Sequence, residues 1–246
     1  MPVQVRDVLS RAQKLIQDET GIRWPLPELA CWFNDGTREV AIHKPSASAK
    51  SVVLPLVRGT RQTIPAGALM LLRVIRNLKS GSTESNRLGG RAVRIVNRDV
   101  LDTQHPDWHD EGSTVFGPQV KHFVFDESDP TAFYVYPGND GQGHVEALVS
   151  HSPEPVETTG VDLADYAVDM PLPDVYANAV LDYVLYRAYS KDASFAENFE
   201  RANAHYNAFA MSLGLKISGE YTASASNAGH HVTRDRVGSA PVGGGS

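Results

Sequence analysis

The sequence predicts an α+β fold: a helical bundle built from N- and C-terminal helices, an inserted small antiparallel β-sheet, and an extended C-terminal tail. Near both ends of the chain, apolar residues recur at intervals of three and four, the period of one helical face. Between residues 91 and 149 the chain instead carries short runs rich in Val, Phe and Tyr, which are typical of strands. Grouped strands flanked by grouped helices favour α+β over alternating βαβ units.

The 246 residues divide into four predicted parts. Residues 1–88 are expected to form the N-terminal helical part, residues 89–160 the inserted β domain, and residues 161–216 the C-terminal helix hairpin. Residues 217–246 contain almost no large apolar side chains and end in GGGS, so they are predicted to be a flexible C-terminal extension.

Two N-terminal helices are predicted. The first covers residues 5–17, where one face carries Val5, Val8, Leu9, Ala12, Leu15 and Ile16. The second begins near Pro25 and ends before Pro45. Gly36 leaves open whether the second is one helix or two, because glycine costs about 1 kcal/mol relative to alanine in a helix interior. Residues 46–65 are a linker or an edge strand, and residues 66–77 a short helix or strand.

The inserted sheet is predicted from four apolar runs and two turns. The turn-forming sequence PGNDGQG suggests a hairpin between strands at residues 133–136 and 145–149. Asp129 and Pro130 indicate a second turn, between Phe125 and Phe133.

The most strongly patterned segment is a predicted pair of antiparallel helices at residues 173–189 and 195–213. In the second helix, apolar residues step by four and three in a heptad-like seam, and Gly214 suits its end. Aromatic side chains at this spacing are interpreted as core rather than as a cofactor site. The hairpin core is therefore expected to contain Leu181, Leu185, Phe195, Phe199, Tyr206 and Phe209, with Ala202 and Leu213.

The amino-acid composition excludes several classes of protein. The formal net charge is −6, with 23 Lys and Arg against 29 Asp and Glu, so no general basic field attracts nucleic acid. Cys31 is the only cysteine, which excludes an intramolecular disulfide, and it is expected to be a buried small apolar residue. The N-terminus lacks the features of a signal peptide and no 18-residue apolar run occurs, so a soluble protein made in the cytoplasm, with no membrane contact, is expected.

Catalytic, phosphate-binding and dinucleotide motifs are absent from the sequence, so no catalytic residue and no cofactor is predicted. The strongest metal candidate is the run His105, Asp107, His109, Asp110 and Glu111, because His and carboxylate side chains bind divalent ions. Its spacing fits no helical metal motif, and Trp108 more simply fills a gap between this loop and the sheet. A metal-dependent hydrolase using this loop remains an alternative; His230 and His231 are weaker candidates.

Basic residues are locally dense between residues 73 and 98. They form either a solvated face or a surface that meets an acidic partner or faces passing DNA, which leaves a monomeric protein-binding module as a further alternative. The residues are Arg73, Arg76, Lys79, Arg87, Arg91, Arg94 and Arg98.

Several short sequence segments, taken in their order along the chain, resemble those of tailed-bacteriophage head-to-tail adaptor, or connector, proteins. This family is similar in role to tail tubular protein A. The segments are WPLPELACWFNDGTRE from residue 24, GTRQTIP from residue 59, PDWH from residue 106, DPTAFYVYP from residue 129 and LYRAYSKD from residue 185.

The resemblance implies a structural virion protein of the neck or tail region, not an enzyme. It implies a homo-oligomer, a dodecameric ring beneath the portal protein, which contacts a downstream tail or nozzle protein and passes genomic DNA through its lumen without sequence-specific binding. It also implies that the C-terminal extension docks onto the portal. The side chains suggested as anchors are Tyr221, His230, His231, Arg234 and Arg236.

Overall fold

A computed structural model of the chain describes residues 2–125, 128–192 and 196–221, and within the last helix the side chains of residues 197–214. The described residues form five α-helices and two small sheets, which confirms the α+β class. In chain order the elements are α1 (Val5–Leu15), α2 (Leu26–His43), β1 (Ala49–Pro55), β2 (Gly59–Thr63), β3 (Ala68–Leu78), β4 (Gly89–Ala92), β5 (Arg94–Ile95), α3 (Arg98–Gln104), β6 (His122–Phe125), β7 (Ala132–Asn139), β8 (His144–His151), α4 (Ala177–Lys191) and α5 (Ala196–Tyr221).

The strands form two four-stranded sheets that share one apolar core. The first sheet has the order β1-β8-β3-β4 and the second the order β2-β7-β6-β5. All pairs are antiparallel except β5 with β6. The shared core contains Leu71 and Val149 from the first sheet and Phe133 and Val135 from the second.

The expectation of a single sheet confined to residues 89–160 is therefore wrong. Strands begin at Ala49, inside the segment 1–88 that was predicted to be helical, and β1 and β3 pair with β8 on its two sides. The edge-strand interpretation of residues 46–65 is correct, because β1 and β2 lie at the edges of their sheets. The division of the chain into separate domains stays a prediction.

The predicted hairpin between residues 133–136 and 145–149 is also wrong, because β7 and β8 lie in different sheets. The connection is a corner held by Asn139, whose Oδ1 accepts hydrogen bonds from the backbone N–H groups of Gly141 at 2.8 Å and Gly143 at 3.2 Å. Its Nδ2 donates to the carbonyl of Gly117 at 3.0 Å. The turn predicted at Asp129 and Pro130 is confirmed, since it links the antiparallel strands β6 and β7.

Helices α1, α2, α4 and α5 share the second large core. The apolar stripe predicted for α1 is buried except for Leu15, which is exposed. Helix α2 is continuous through Gly36, and the structure shows why glycine lies there: a Cβ atom would stand 3.0 Å from the ring of Tyr183. Cys31, expected to be buried, is exposed because it lies on the face of α2 that points away from this core.

No helix in the described part of the chain is long and apolar enough to cross a membrane.

Candidate functional site

Helix α5 packs mainly against α4 and leaves part of its apolar seam uncovered. Leu181 and Leu185 of α4 are buried, and so is Phe209 of α5, which is 2% exposed. Phe199 is 56% exposed and Tyr206 is 44% exposed, so the expectation that they belong to the core is wrong for the single chain. Phe195 lies outside the described residues. The helix also continues beyond Gly214, where its end was expected, to Tyr221.

The wrong assignment of Phe199 and Tyr206 to the core has a geometric cause. At 100° per residue, Ala202, Phe209 and Leu213 fall within one narrow stripe, whereas Phe199 and Tyr206 fall on one side of it. A single partner helix covers only that stripe, and within the described residues no other element covers the side that carries Phe199 and Tyr206. We call these two side chains the aromatic flank of α5.

The aromatic flank continues onto α4. The ring of Tyr206 lies 5.0 Å from the ring of Tyr186 and 6.3 Å from the ring of Phe209, centroid to centroid. Phe209 in turn contacts Tyr183 edge to face at 5.2 Å. The half-buried ring of Tyr186 and the buried ring of Phe209 thus hold Tyr206 in place, which favours a preformed contact surface.

The opposite flank of α5 is closed by polar contacts. His205 Nδ1 lies 2.9 Å from Asp182 Oδ1, and the His205 ring stacks on Tyr189 with centroids 5.7 Å apart. The guanidinium of Arg201 lies over the same tyrosine ring at 5.7 Å. Of the two flanks beside the buried stripe, the one that carries Phe199 and Tyr206 therefore offers the uncovered apolar surface.

The loop that was the strongest metal candidate has a structural role instead. Trp108 is fully buried beside Leu101 and Val124, and its Nε1 donates to Asp102 Oδ1 at 2.8 Å. The indole thereby fixes α3 and the following loop to the outer face of the second sheet, as predicted. His105 stacks on Tyr136 with ring centroids 5.1 Å apart.

The polar side chains of this loop bind protein groups rather than one another. His109 Nδ1 lies 2.7 Å from the hydroxyl of Thr60, and Glu111 forms an ion pair with Arg58. Hydrogen bonds from the backbone of Gly112 and the hydroxyl of Ser113 hold the pKa of Asp110 below its usual value. Within the described ranges, no group of three or more His, Cys, Asp or Glu side chains is placed to hold a metal ion.

Part of the basic stretch is internal to the first sheet. Arg76 Nε lies 2.6 Å from one oxygen of Glu146, and Arg87 Nη1 lies 3.0 Å from the other. Burial opposes ionisation of Glu146, but hydrogen bonds from Arg76, Arg87 and Ser51 outweigh it and lower the pKa of this carboxyl group.

The same cluster covers the edge of β1. Arg87 Nη2 donates to the carbonyl of Ser51 at 2.7 Å, and the backbone N–H of Val53 donates to Glu84 at 2.7 Å. These are outward-facing backbone groups of an edge strand, which otherwise invite pairing with another chain. The loop between β3 and β4 therefore protects this edge.

Comparison with protein families gives a match over nearly the whole chain, because the model of the SU10 adaptor protein family aligns with residues 3–233. The chain belongs to the SU10 adaptor protein family. The matched range begins before α1 and extends past α5, so it includes both cores. A comparison with curated proteins found no match.

Membership of this family supports a structural adaptor role in the phage virion. It implies interaction with portal and tail proteins. The suggested anchor Tyr221 is the last residue of α5, whereas His230, His231, Arg234 and Arg236 lie outside the described residues. Docking through these five residues stays a prediction.

Sequence reasoning missed the Glu146 cluster and the corner at Asn139 in this adaptor. The loop that carries Arg87 has the composition of a mobile segment, yet its side chains bind across the sheet. The available signal was the alternation in β8, which places Glu146 on the face opposite Val145 and Val149.

Proposed function

We propose that this adaptor forms a ring beneath the portal, joins the portal to the tail, and contributes part of the wall of the DNA channel. The aromatic flank of α5 is the observation that carries the proposal, because an adaptor must present surfaces that become buried on assembly. Exposed large apolar groups held by a packed core are typical of such surfaces. In the ring, a neighbouring copy covers Phe199 and Tyr206, and the resemblance favours a dodecamer.

The net charge suits a conduit for DNA. A chain with a formal charge of −6 repels the phosphate backbone overall, so DNA passes without being held. This supports the channel only as a compatible property, and the surface that faces the lumen is part of the proposal.

The C-terminal extension is proposed to dock onto the portal. Helix α5 runs to Tyr221 and so includes residues 217–221, the start of the predicted extension, which would tie a bound extension to the ring wall. Segments poor in apolar residues that order on binding are common in assembly contacts.

The ring is tested with two substitutions on α5. Phe199→Asp places a charge on the aromatic flank, while Met211→Asp places one on a different face of the same helix, where Met211 is 65% exposed. Electron microscopy of the purified proteins, alone and mixed with the portal protein of the same phage, is expected to show rings for wild type and Met211→Asp and none for Phe199→Asp. Rings of normal yield from Phe199→Asp would contradict the assigned role of the flank.

Docking is tested in the full-length chain. Arg234→Glu with Arg236→Glu is expected to weaken binding to the portal while the circular dichroism spectrum stays unchanged. Lys14→Glu with Arg38→Glu changes the net charge equally on exposed helical surfaces and is the control. Equal portal binding by both double variants would remove the two arginines from the docking site.

A further inference from the structure

A group of unpaired cations lies where the two sheets meet. Strands β4 and β5 are the last strands of their sheets and are joined through the buried Val93. Arg91 lies in β4, Arg94 in β5, and the backbone N–H of Arg94 donates to the carbonyl of Lys121 at 3.1 Å. All three side chains are exposed, and none has a carboxylate partner within the described residues. We call Arg91, Arg94 and Lys121 the basic edge.

The three cations of the basic edge act on a neighbouring imidazole, that of His122. Residue His122 lies opposite Arg94 in the parallel pair β5–β6, and its Nδ1 atom is buried without a hydrogen-bond partner. Burial lowers the pKa of His122, and Arg91, Arg94 and Lys121 lower it further. The three charged groups that lower this pKa are all positive, and within the described residues none of the three forms an ion pair with a carboxylate.

The connection between β8 and α4 is acidic, in contrast to the basic edge. Residues 152–174 contain six acidic side chains and neither Lys nor Arg. All six are exposed, and none forms an ion pair in the part of the chain that the structure describes: Glu154, Glu157, Asp162, Asp165, Asp169 and Asp174. We call this segment the acidic connection.

The acidic connection is held against the helical core. Asn34 of α2 donates to the carbonyl of Val156 and accepts from its N–H, each at 2.9 Å. Tyr166 is buried, and its hydroxyl donates to the carbonyl of Gly160 at 2.9 Å. The free carboxylates of Glu154 and Glu157 thus stand on a fixed backbone, in a different part of the fold from the basic edge.

We propose that the basic edge of one copy contacts the acidic connection of the next copy. The inference rests on the proposed ring and specifies which surfaces meet in it. A closed ring of identical subunits needs two different, complementary surfaces on each copy. These two surfaces are complementary in charge but do not pair with each other in the single chain, as far as the structure describes it. Charge complementarity at such contacts fixes orientation and suppresses wrong pairings.

Charge reversal with mixing tests the pairing. The first variant carries Arg91→Glu and Arg94→Glu, and the second carries Glu154→Lys and Glu157→Lys. Each variant alone brings like charges together at every contact, so we expect its association to weaken by about tenfold or more. In an equal mixture every contact again joins opposite charges if the two variants alternate, so rings reappear.

The matched control is Lys14→Glu with Arg38→Glu, which changes the net charge as much as the first variant does but leaves both proposed surfaces intact. Ring yield is measured by sedimentation velocity and electron microscopy, with and without the portal protein, at low and high salt. Loss of rings in each variant alone, recovery in the mixture and normal rings in the control support the interface.

Two other outcomes overturn it in distinguishable ways. If both variants alone form rings as well as the wild type does, or if the mixture fails to recover them, the pairing of these surfaces is wrong and the proposed ring stands. If the wild-type protein forms no ring under any of these conditions, the proposed function fails and the interface fails with it.

Discussion

Truncation of Phe209 tests the assignment of the α4–α5 core. The side chain is 2% exposed and contacts the ring of Tyr183 at 5.2 Å. Phe→Ala changes at buried positions cost about 3–5 kcal/mol, because both the buried surface and the packing are lost. In a chain of this size each kcal/mol lowers the melting temperature by roughly 2–4 °C, so Phe209→Ala should lower it by about 10 °C.

Phe199→Ala is the comparison in the same helix. More than half of Phe199 is exposed, so its truncation removes only part of the burial that a phenylalanine provides, about 1 kcal/mol. Urea titrations followed by circular dichroism give both free energies of unfolding, provided that the slope is unchanged between variants. The protein should be dilute enough that sedimentation shows a monomer, since assembly would stabilise Phe199 through a partner.

Equal destabilisation by the two truncations in the monomer would refute the assigned burial along α5. The same result would also remove the argument that the aromatic flank is available to a neighbouring copy.

Three further changes test the other described clusters. Glu146→Gln should destabilise the fold by about 1–3 kcal/mol at neutral pH. Because the pKa of Glu146 in the folded chain lies below its ordinary value of 4.5, this difference should be fully present above pH 4.5 and shrink as the pH falls below that value, which acid titration of both proteins would measure. Gly36→Val should cost about 2 kcal/mol or more through overlap with Tyr183, and a melting curve unchanged from wild type would contradict the packing of α2 on α4. Trp108→Ala should increase hydrogen exchange in α3 and its loop by at least about tenfold; unchanged protection would show that the indole does not hold this segment.

Helices α1, α2 and α4 were predictable because their signal is local, whereas the short helix α3 was not predicted. The stripe of α1, the start of α2 at Pro25 and the extent of α4 all follow from apolar spacing and capping within about one turn. The same rule did not place Cys31, because periodicity identifies an apolar stripe but does not decide the position of a small residue that lies outside it.

Strand pairing was not predictable from local pattern. The sequence PGNDGQG has the residues of a hairpin turn, but whether the flanking strands pair depends on what else is available to pair with them. Here β8 lies between β1 and β3, and β7 lies between β2 and β6, so both strands already have two neighbours. The side chain of Asn139 then stabilises a corner between sheets instead of a hairpin.

The wrong assignment of Phe199 and Tyr206 to the core bears on the function of α5. Phe199, Tyr206 and Phe209 fit the apolar seam equally well by spacing, and only the positions of the other helices decide which of them the single chain buries. A seam with a 3.5-residue period is complementary to a helix that follows it along its whole length, whereas a 3.6-residue helix packed on one short neighbour covers only part of it. The seam therefore carries more apolar surface than the described part of the chain covers. Under the proposed ring, a second copy would cover this surplus at the aromatic flank.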